Sequence, residues 1–234
     1  MMRAPARIRG GIGTRLAVLV AGLLVFAAGI VAMLESHLGL SPWDVLHQGL
    51  ARQTGLSFGA ANIAVSAVVL AAAWGLGAKI GIGTLANAAL VGTFVEVLSS
   101  LGPVAALDQA PLVVRITLLT LGVTLMGVGT GLYIGADLGA GPRDSLMVVG
   151  ARRTRFRIGA VRATLEVSAL AVGWALGGAV GIGTVAFALA IGPMVETSFW
   201  LLKLSPLADR ADGEIRRDAR VIRRPCKGHA WERA

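Results

Sequence analysis

The sequence predicts an all-α polytopic membrane protein: six transmembrane helices forming two inverted three-span repeats, each with a short interfacial or re-entrant helix. Three observations predict it. The chain repeats itself at an offset of 100 residues without a gap, and 28 of the 89 positions in 12–100 recur identically in 112–200. Charged residues make up only 15% of the chain, against roughly 25% in soluble domains, and hydrophobic residues 55%. The arginines and lysines fall mainly on alternate connectors, which is how membrane topology is written in sequence.

Four segments follow: a basic N-terminal stretch (1–13), a first membrane repeat (14–102), a second (112–202) and an arginine-rich polar tail (203–234). Crossing the hydrocarbon core takes about 20 helical residues. Spans are expected at 14–34, 58–76, 82–100, 112–134, 158–176 and 182–202. The first has the basic start and apolar run of a signal peptide. It lacks a small-x-small cleavage site followed by a soluble domain, and 112–133 matches it, so it reads as a retained span. The connector after each first span contains Pro-x-Asp. The second spans end at Trp74-Gly75-Leu76-Gly77 and Trp174-Ala175-Leu176-Gly177. The turns Gly81-Ile82-Gly83-Thr84 and Gly181-Ile182-Gly183-Thr184 are identical and short, so the second and third spans of each half are expected to pack as antiparallel hairpins. Thr84 and Thr184 stand where they could cap the incoming helices. The glycines serve either as tight turns or as an ion-binding element.

Orientation follows from charge. Arg3, Arg7, Arg9 and Arg15 precede the first span, and Lys79 lies between the second and third. Arg143, Arg152, Arg153, Arg155 and Arg157 lie between the fourth and fifth, and eight further basic residues follow Leu204. All of these face the cytoplasm if both termini are cytoplasmic, as expected for a bacterial inner-membrane protein. Connector 35–57 holds one arginine, whereas its counterpart 135–157 holds five. An odd number of spans per repeat makes the second repeat enter from the opposite side, which relates the halves by a pseudo-two-fold axis in the membrane plane.

The same distribution argues against a nucleic-acid partner despite the net charge of +9, because the basic residues sit in connectors and termini rather than on one face. Cys226 is the sole cysteine, and His37, His47 and His229 form no metal-ligand pattern, so no metal or other cofactor is expected. No Ser–His–Asp order, phosphate loop or catalytic carboxylate pair is recognisable, so the chain does not read as an enzyme.

Ser41-Pro42-Trp43-Asp44 and Gly141-Pro142-Arg143-Asp144 are the sharpest local motifs. Proline suits the first helical position, Ser41 suits the N-cap, and Asp44 and Asp144 fall at N3, where a carboxylate favours the unpaired amides. Short helices are expected at about 42–52 and 142–152. They are either interfacial, with the carboxylate a mere cap, or half-helices whose N-termini converge on a central path. Ser41, Asp44, Arg143, Asp144, Glu96 and Glu196 are the candidates for a substrate or ion path. Glu96 and Glu196 lie at equivalent positions in the third and sixth spans. They serve proton or cation coupling, or sit close enough to the membrane edge to reach water. Arg162 and Glu166 are one helical turn apart and pair on one face. His37 and His47 read as solvated or capping groups. Trp43, Trp74, Trp174 and Trp200 read as interfacial anchors, and Gly22, Gly29, Gly122 and Gly129 as close-packing sites.

Residues 12–202 resemble the YczE/YyaS/YitT family of bacterial integral membrane proteins, through Gly39-Leu40-Ser41-Pro42-Trp43-Asp44, Gly55, Gly59, Gly81-Ile82-Gly83-Thr84 and the run Gly135–Asp144. The resemblance implies a multi-pass membrane fold and a permease-like role without a defined substrate. The leading expectation is a transporter or permease for an unknown small solute, with proton or cation coupling, working by alternating access between inverted repeats. The alternative is a non-transport structural or regulatory membrane protein acting with a partner. A membrane-embedded enzyme is a third class, without a catalytic constellation to carry it. Membrane lipids are the expected surroundings, and six short spans are compatible with a homo-oligomer.

Overall fold

The computed structural model describes residues 8, 10–101, 110–154 and 156–204. The polar tail beyond Leu204, with Cys226 and His229, lies outside them, as do Arg3, Arg7, Arg9, Arg155 and most of the link between the repeats. The described elements are helices: α1 (Ile12–Ser36), α2 (Pro42–Thr54), α3 (Phe58–Gly75), α4 (Ile82–Ser99), α5 (Leu112–Gly135), α6 (Pro142–Thr154), α7 (Ile158–Ala175) and α8 (Ile182–Leu204). Six of them, all but α2 and α6, are long and apolar enough to cross a membrane. The chain is a polytopic α-helical membrane protein.

α1 and α5, the equivalent first helices of the repeats, form the central pair. They touch through glycines because a β-carbon there would have no room. One built at Gly29 would lie 2.7 Å from the Gly122 carbonyl oxygen, and one at Gly129 would lie 2.7 Å from that of Gly22. Rising along α1 from Gly22 to Gly29 means descending along α5 from Gly129 to Gly122, so the two helices are antiparallel. Close glycine contact of this kind brings backbones together where apolar burial alone gives no preference over lipid.

The ends of this pair are tied reciprocally. Arg15 Nε donates to the Ala136 carbonyl at 2.7 Å, its guanidinium also reaches the Asp137 carbonyl, and it lies 3.3 Å from the Asp137 carboxylate. Arg115 Nε donates to the Ser36 carbonyl at 2.7 Å and its Nη2 to that of His37 at 2.8 Å. Each arginine satisfies carbonyls left over at the C-terminus of the other first helix and complements its dipole. His37 and Asp137 both take the left-handed conformation there, with φ of 49° and 53°.

The remaining contacts come in repeat-related pairs, some within a half and some between the halves. α4 packs on α1 and α8 on α5, whereas α2 packs on α7 and α6 on α3. Contact of residue i with j+100, matched by j with i+100, is what a two-fold relation produces. The glycine turns are part of it. The Gly83 amide donates to the Leu138 carbonyl at 2.9 Å, and the Gly183 amide to that of Leu38 at 2.8 Å.

Only one of the two expected hairpins is packed. α3 and α4 interlock, with Gly59 and Gly92 each seated on the other's carbonyl oxygen. α7 and α8 barely touch, and β-carbons at Gly159 and Gly192 would meet nothing within 4 Å. α7 packs instead on α2, where Gly173 sits under Leu46 and Gly49 under Leu176. Trp74 and Trp174 lie exposed at helix ends, as an interfacial anchor requires, while Trp43 faces inward.

Replacing Gly29 with leucine should drive α1 and α5 apart and destabilise the protein by at least the roughly 1–3 kcal/mol typical of overpacking. Gly13→Leu, where a β-carbon meets nothing within 4 Å, should change the thermal midpoint in detergent little.

Candidate functional site

The two Pro-x-Asp helices begin at the same place. Proline opens each, since its missing amide would be unpaired in the first turn anyway. Ser41 caps α2, its Oγ accepting the Asp44 amide at 3.3 Å. Trp43 and Asp44 from the first motif and Pro142 and Arg143 from the second line one cavity of about 40 Å³. Phe26 and Ile30 of α1, Asn62, Val65, Ser66 and Val69 of α3, and Asn87 and Val91 of α4 complete its wall. One water needs roughly 10–15 Å³ on this measure, so the space suits a few waters or a small ion and is too small for a sugar or an amino acid.

Asp44 is 2% exposed and fully engaged. The Ser41 hydroxyl donates to its Oδ2 at 2.5 Å, and His47 Nδ1 lies 3.4 Å from its Oδ1. The same His47 nitrogen lies 3.1 Å from Asn62 Nδ2. One ring nitrogen cannot serve both partners in one state. Without a proton it accepts from the Asn62 amide; with one it donates to Asp44, and Asn62 must turn its carbonyl inward. The position of a single proton therefore selects between two hydrogen-bond arrangements. His47 also stands edge-on to Phe58, with ring centroids 5.9 Å apart.

Asp144 is held differently. The hydroxyl of Tyr133, which is buried at the end of α5, donates to its Oδ2 at 2.9 Å. Arg143 lies over the Phe26 ring, 5.3 Å from the centroid, and interacts electrostatically with Tyr133, Asp144, Asp44 and Glu166. Gly141, where the first repeat has Ser41, is crowded by Asn87 Oδ1 and Asp144 Oδ2, each 3.3 Å from where a β-carbon would stand. The missing hydroxyl makes room for Asn87.

Of the residues singled out in sequence, Asp44, Pro142 and Arg143 line this cavity, while Ser41 and Pro42 precede Asp44 at the start of α2 and Asp144 follows Arg143, all three outside the lining. Glu96 lies apart: it is exposed, and its Oε2 accepts the Gly59 amide at 3.3 Å, capping the start of α3 outside the cavity. Glu196 is also exposed and lies outside the lining. Gly81 and Gly181 give their amides to Thr84 and Thr184 Oγ1, both at 3.3 Å, so these turns spend their donors on protein groups. His47 is a buried partner of Asp44 rather than a solvated group. Sequence reasoning missed Tyr133 and Asn87. Tyr133 is the chain's only tyrosine, placed just before a Pro-x-Asp motif, and asparagine in an apolar span is unfavourable enough to draw notice.

Residues 13–198 match the profile of a family described as a family of unknown function, DUF6198. The chain belongs to this family. Among curated relatives of this DUF6198 member, an uncharacterised protein of Haemophilus influenzae is 37% identical over 182 residues, covering 77% of this chain and 81% of the relative. The uncharacterised membrane protein YczE of Bacillus subtilis is 34% identical over 185 residues (76% and 82%). YyaS of the same organism, also uncharacterised, is 25% identical over 174 residues (70% and 81%). The resemblance carried by the Gly39–Asp44 motif is thus to real relatives, YczE and YyaS. No solved structure matches the chain.

Asp44→Ala would leave Ser41 and His47 buried without their acceptor and should destabilise this family member by about 1–3 kcal/mol. Glu196→Ala, at an exposed site, should not. Thermal unfolding in detergent reads both.

Proposed function

We propose that the protein is a transporter or permease for a small solute in the bacterial inner membrane, working by alternating access between inverted repeats. The observation that carries the reading is the convergence of two repeat-related half-helices on one cavity lined by residues of both halves. Transporters built from inverted repeats place their sites where the repeats meet, with half-helix N-termini aimed at the solute. The antiparallel course of α1 and α5 supports the inversion, since equivalent helices then cross the membrane in opposite senses. His47 Nδ1, within reach of both the Asn62 amide and the Asp44 carboxylate, supports coupling to protons or small cations, with Asp44 and Asp144 as the anionic groups and Arg143 as their internal counter-ion. No catalytic step is assigned to any residue. Both termini face the cytoplasm in this reading, and the link at 101–111 faces away from it.

The competing reading is a structural or regulatory membrane protein acting with a partner. The small volume of the cavity favours it, because a solute larger than a few waters needs the halves to move.

Vesicles reconstituted with the full chain and screened against a solute panel, with and without a proton gradient, separate the two. Asp44→Asn and Asp144→Asn should each lower flux at least tenfold with expression intact, while Glu196→Gln stays within twofold of the parent. Undiminished flux in both aspartate variants overturns their role, and absence of flux for every solute favours the structural reading. An epitope tag at position 105 should be accessible only from outside the cytoplasm.

A further inference from the structure

The two halves carry the same interlocking residues and use them differently. Gly59-Ala60 recurs as Gly159-Ala160, Gly92 as Gly192, and Val95-Glu96 as Val195-Glu196. In the first half these residues zip α3 onto α4: Gly59 and Gly92 seat on each other's carbonyls, and Ile63 of α3 fills the remaining space beside Gly92. In the second half the same two glycines face open space. Arg162 and Glu166 follow Gly159 by three and seven residues, so they share its helical face. Arg162 and Glu166 of α7 pair at 2.9 Å with side chains 47% and 30% exposed, although α7 is long and apolar enough to span. Ionisable groups at membrane depth face protein or water. Glu166 also interacts electrostatically with Arg143 of the cluster. α8 is weakened at this level, because Pro193 stands next to Gly192 where the first half has Thr93, and proline removes a backbone hydrogen bond.

We propose that the crevice between α7 and α8 is the water-filled entrance to the Arg143–Asp144 cluster, and that it shuts by seating Gly159 on Gly192 as the α3–α4 zipper opens. The inference rests on the alternating-access reading and adds to it the residues that form the gate. The first half displays the shut form and the second half the open form of one element. In the opposite state the roles exchange: Gly159 and Gly192 interlock, Ala163 takes the place of Ile63, and Gly59 parts from Gly92. The smaller Ala163 leaves the second zipper less filled than the first, which accounts for the second half being the one found open.

The test uses the full chain in its native membrane with Cys226 replaced by serine and cysteines introduced as Gly159→Cys and Gly192→Cys. Both positions have free space, so neither substitution strains the described fold. A disulfide needs α-carbons within roughly 7 Å, which the shut crevice provides and the open one does not. Expected is an intramolecular cross-link under mild oxidation, formed several-fold faster when Gly59→Leu wedges the first zipper apart. Gly192→Cys alone should react with a charged, membrane-impermeant maleimide. Cross-linking only between chains would overturn the proposal, since the face would then be an interface between copies. So would no cross-link at all, no effect of the wedge on the rate, or a Gly192→Cys thiol silent to the charged reagent. Cross-linking without flux of any solute would sink the transport reading while leaving the moving crevice intact; flux without cross-linking would do the reverse.

Discussion

The antiparallel glycine seam between α1 and α5 is the constraint on which the other contacts depend. Lipid tails solvate leucine as well as another helix does, so apolar burial gives two membrane helices little reason to associate. Gly22, Gly29, Gly122 and Gly129 supply the reason by admitting backbone to backbone contact. Once that pair is set, Arg15 and Arg115 can reach across to the opposite helix ends, and those ends fix the chain direction into α2 and α6. The Pro-x-Asp helices are then delivered to each other's half, α2 against α7 and α6 against α3. Their common starting point follows from the seam rather than from any affinity between the motifs.

Much of this was legible in the sequence because repetition and hydropathy are local properties. The offset of 100 residues fixed which helices are equivalent, and apolar runs located the spans close to their observed bounds. The proline and serine of Ser41–Asp44 announced a helix start, and the structure has one there. Partners were less legible. Arg15 reads as a topology signal in sequence and spends its guanidinium on the end of α5 in the structure. Arg153, counted the same way, donates to the Leu76 carbonyl at 3.2 Å. A charge near a membrane edge serves orientation and capping alike, and sequence does not separate them. Glu96 looked like an intramembrane carboxylate because it lies in an apolar run, yet it is close enough to the end of α4 to cap α3. Tyr133 could be found only by knowing that α5 ends beside α6.

The repeats have diverged in the residues that hold their carboxylates while keeping the frame. His47 faces Met147 in the alignment, Asn62 faces Arg162, Asn87 faces Phe187, and Tyr133 faces Met33. Asp44 consequently sits with a serine hydroxyl and an imidazole, whereas Asp144 sits with a phenol. The two motifs thus offer chemically different groups to one cavity, Asp44 and His47 from the first half and Arg143 from the second.

The polar cluster is hard to explain as a device for stability. A buried carboxylate, an imidazole and an amide in the middle of a bundle lose hydration that their mutual hydrogen bonds only partly restore, and well-packed apolar residues of similar volume are often at least as stable. The seam itself needs none of them: glycine contacts, arginine caps and the docked glycine turns already join the halves. Asp44, His47, Asn62 and Arg143 lie instead around a cavity that the packing leaves unfilled, and the residues closest to it are the ones with alternative hydrogen-bond states. Groups that cost stability, surround free space and can change partners by moving one proton are suited to binding and release. The fold's contribution is to bring residues of both halves to one cavity.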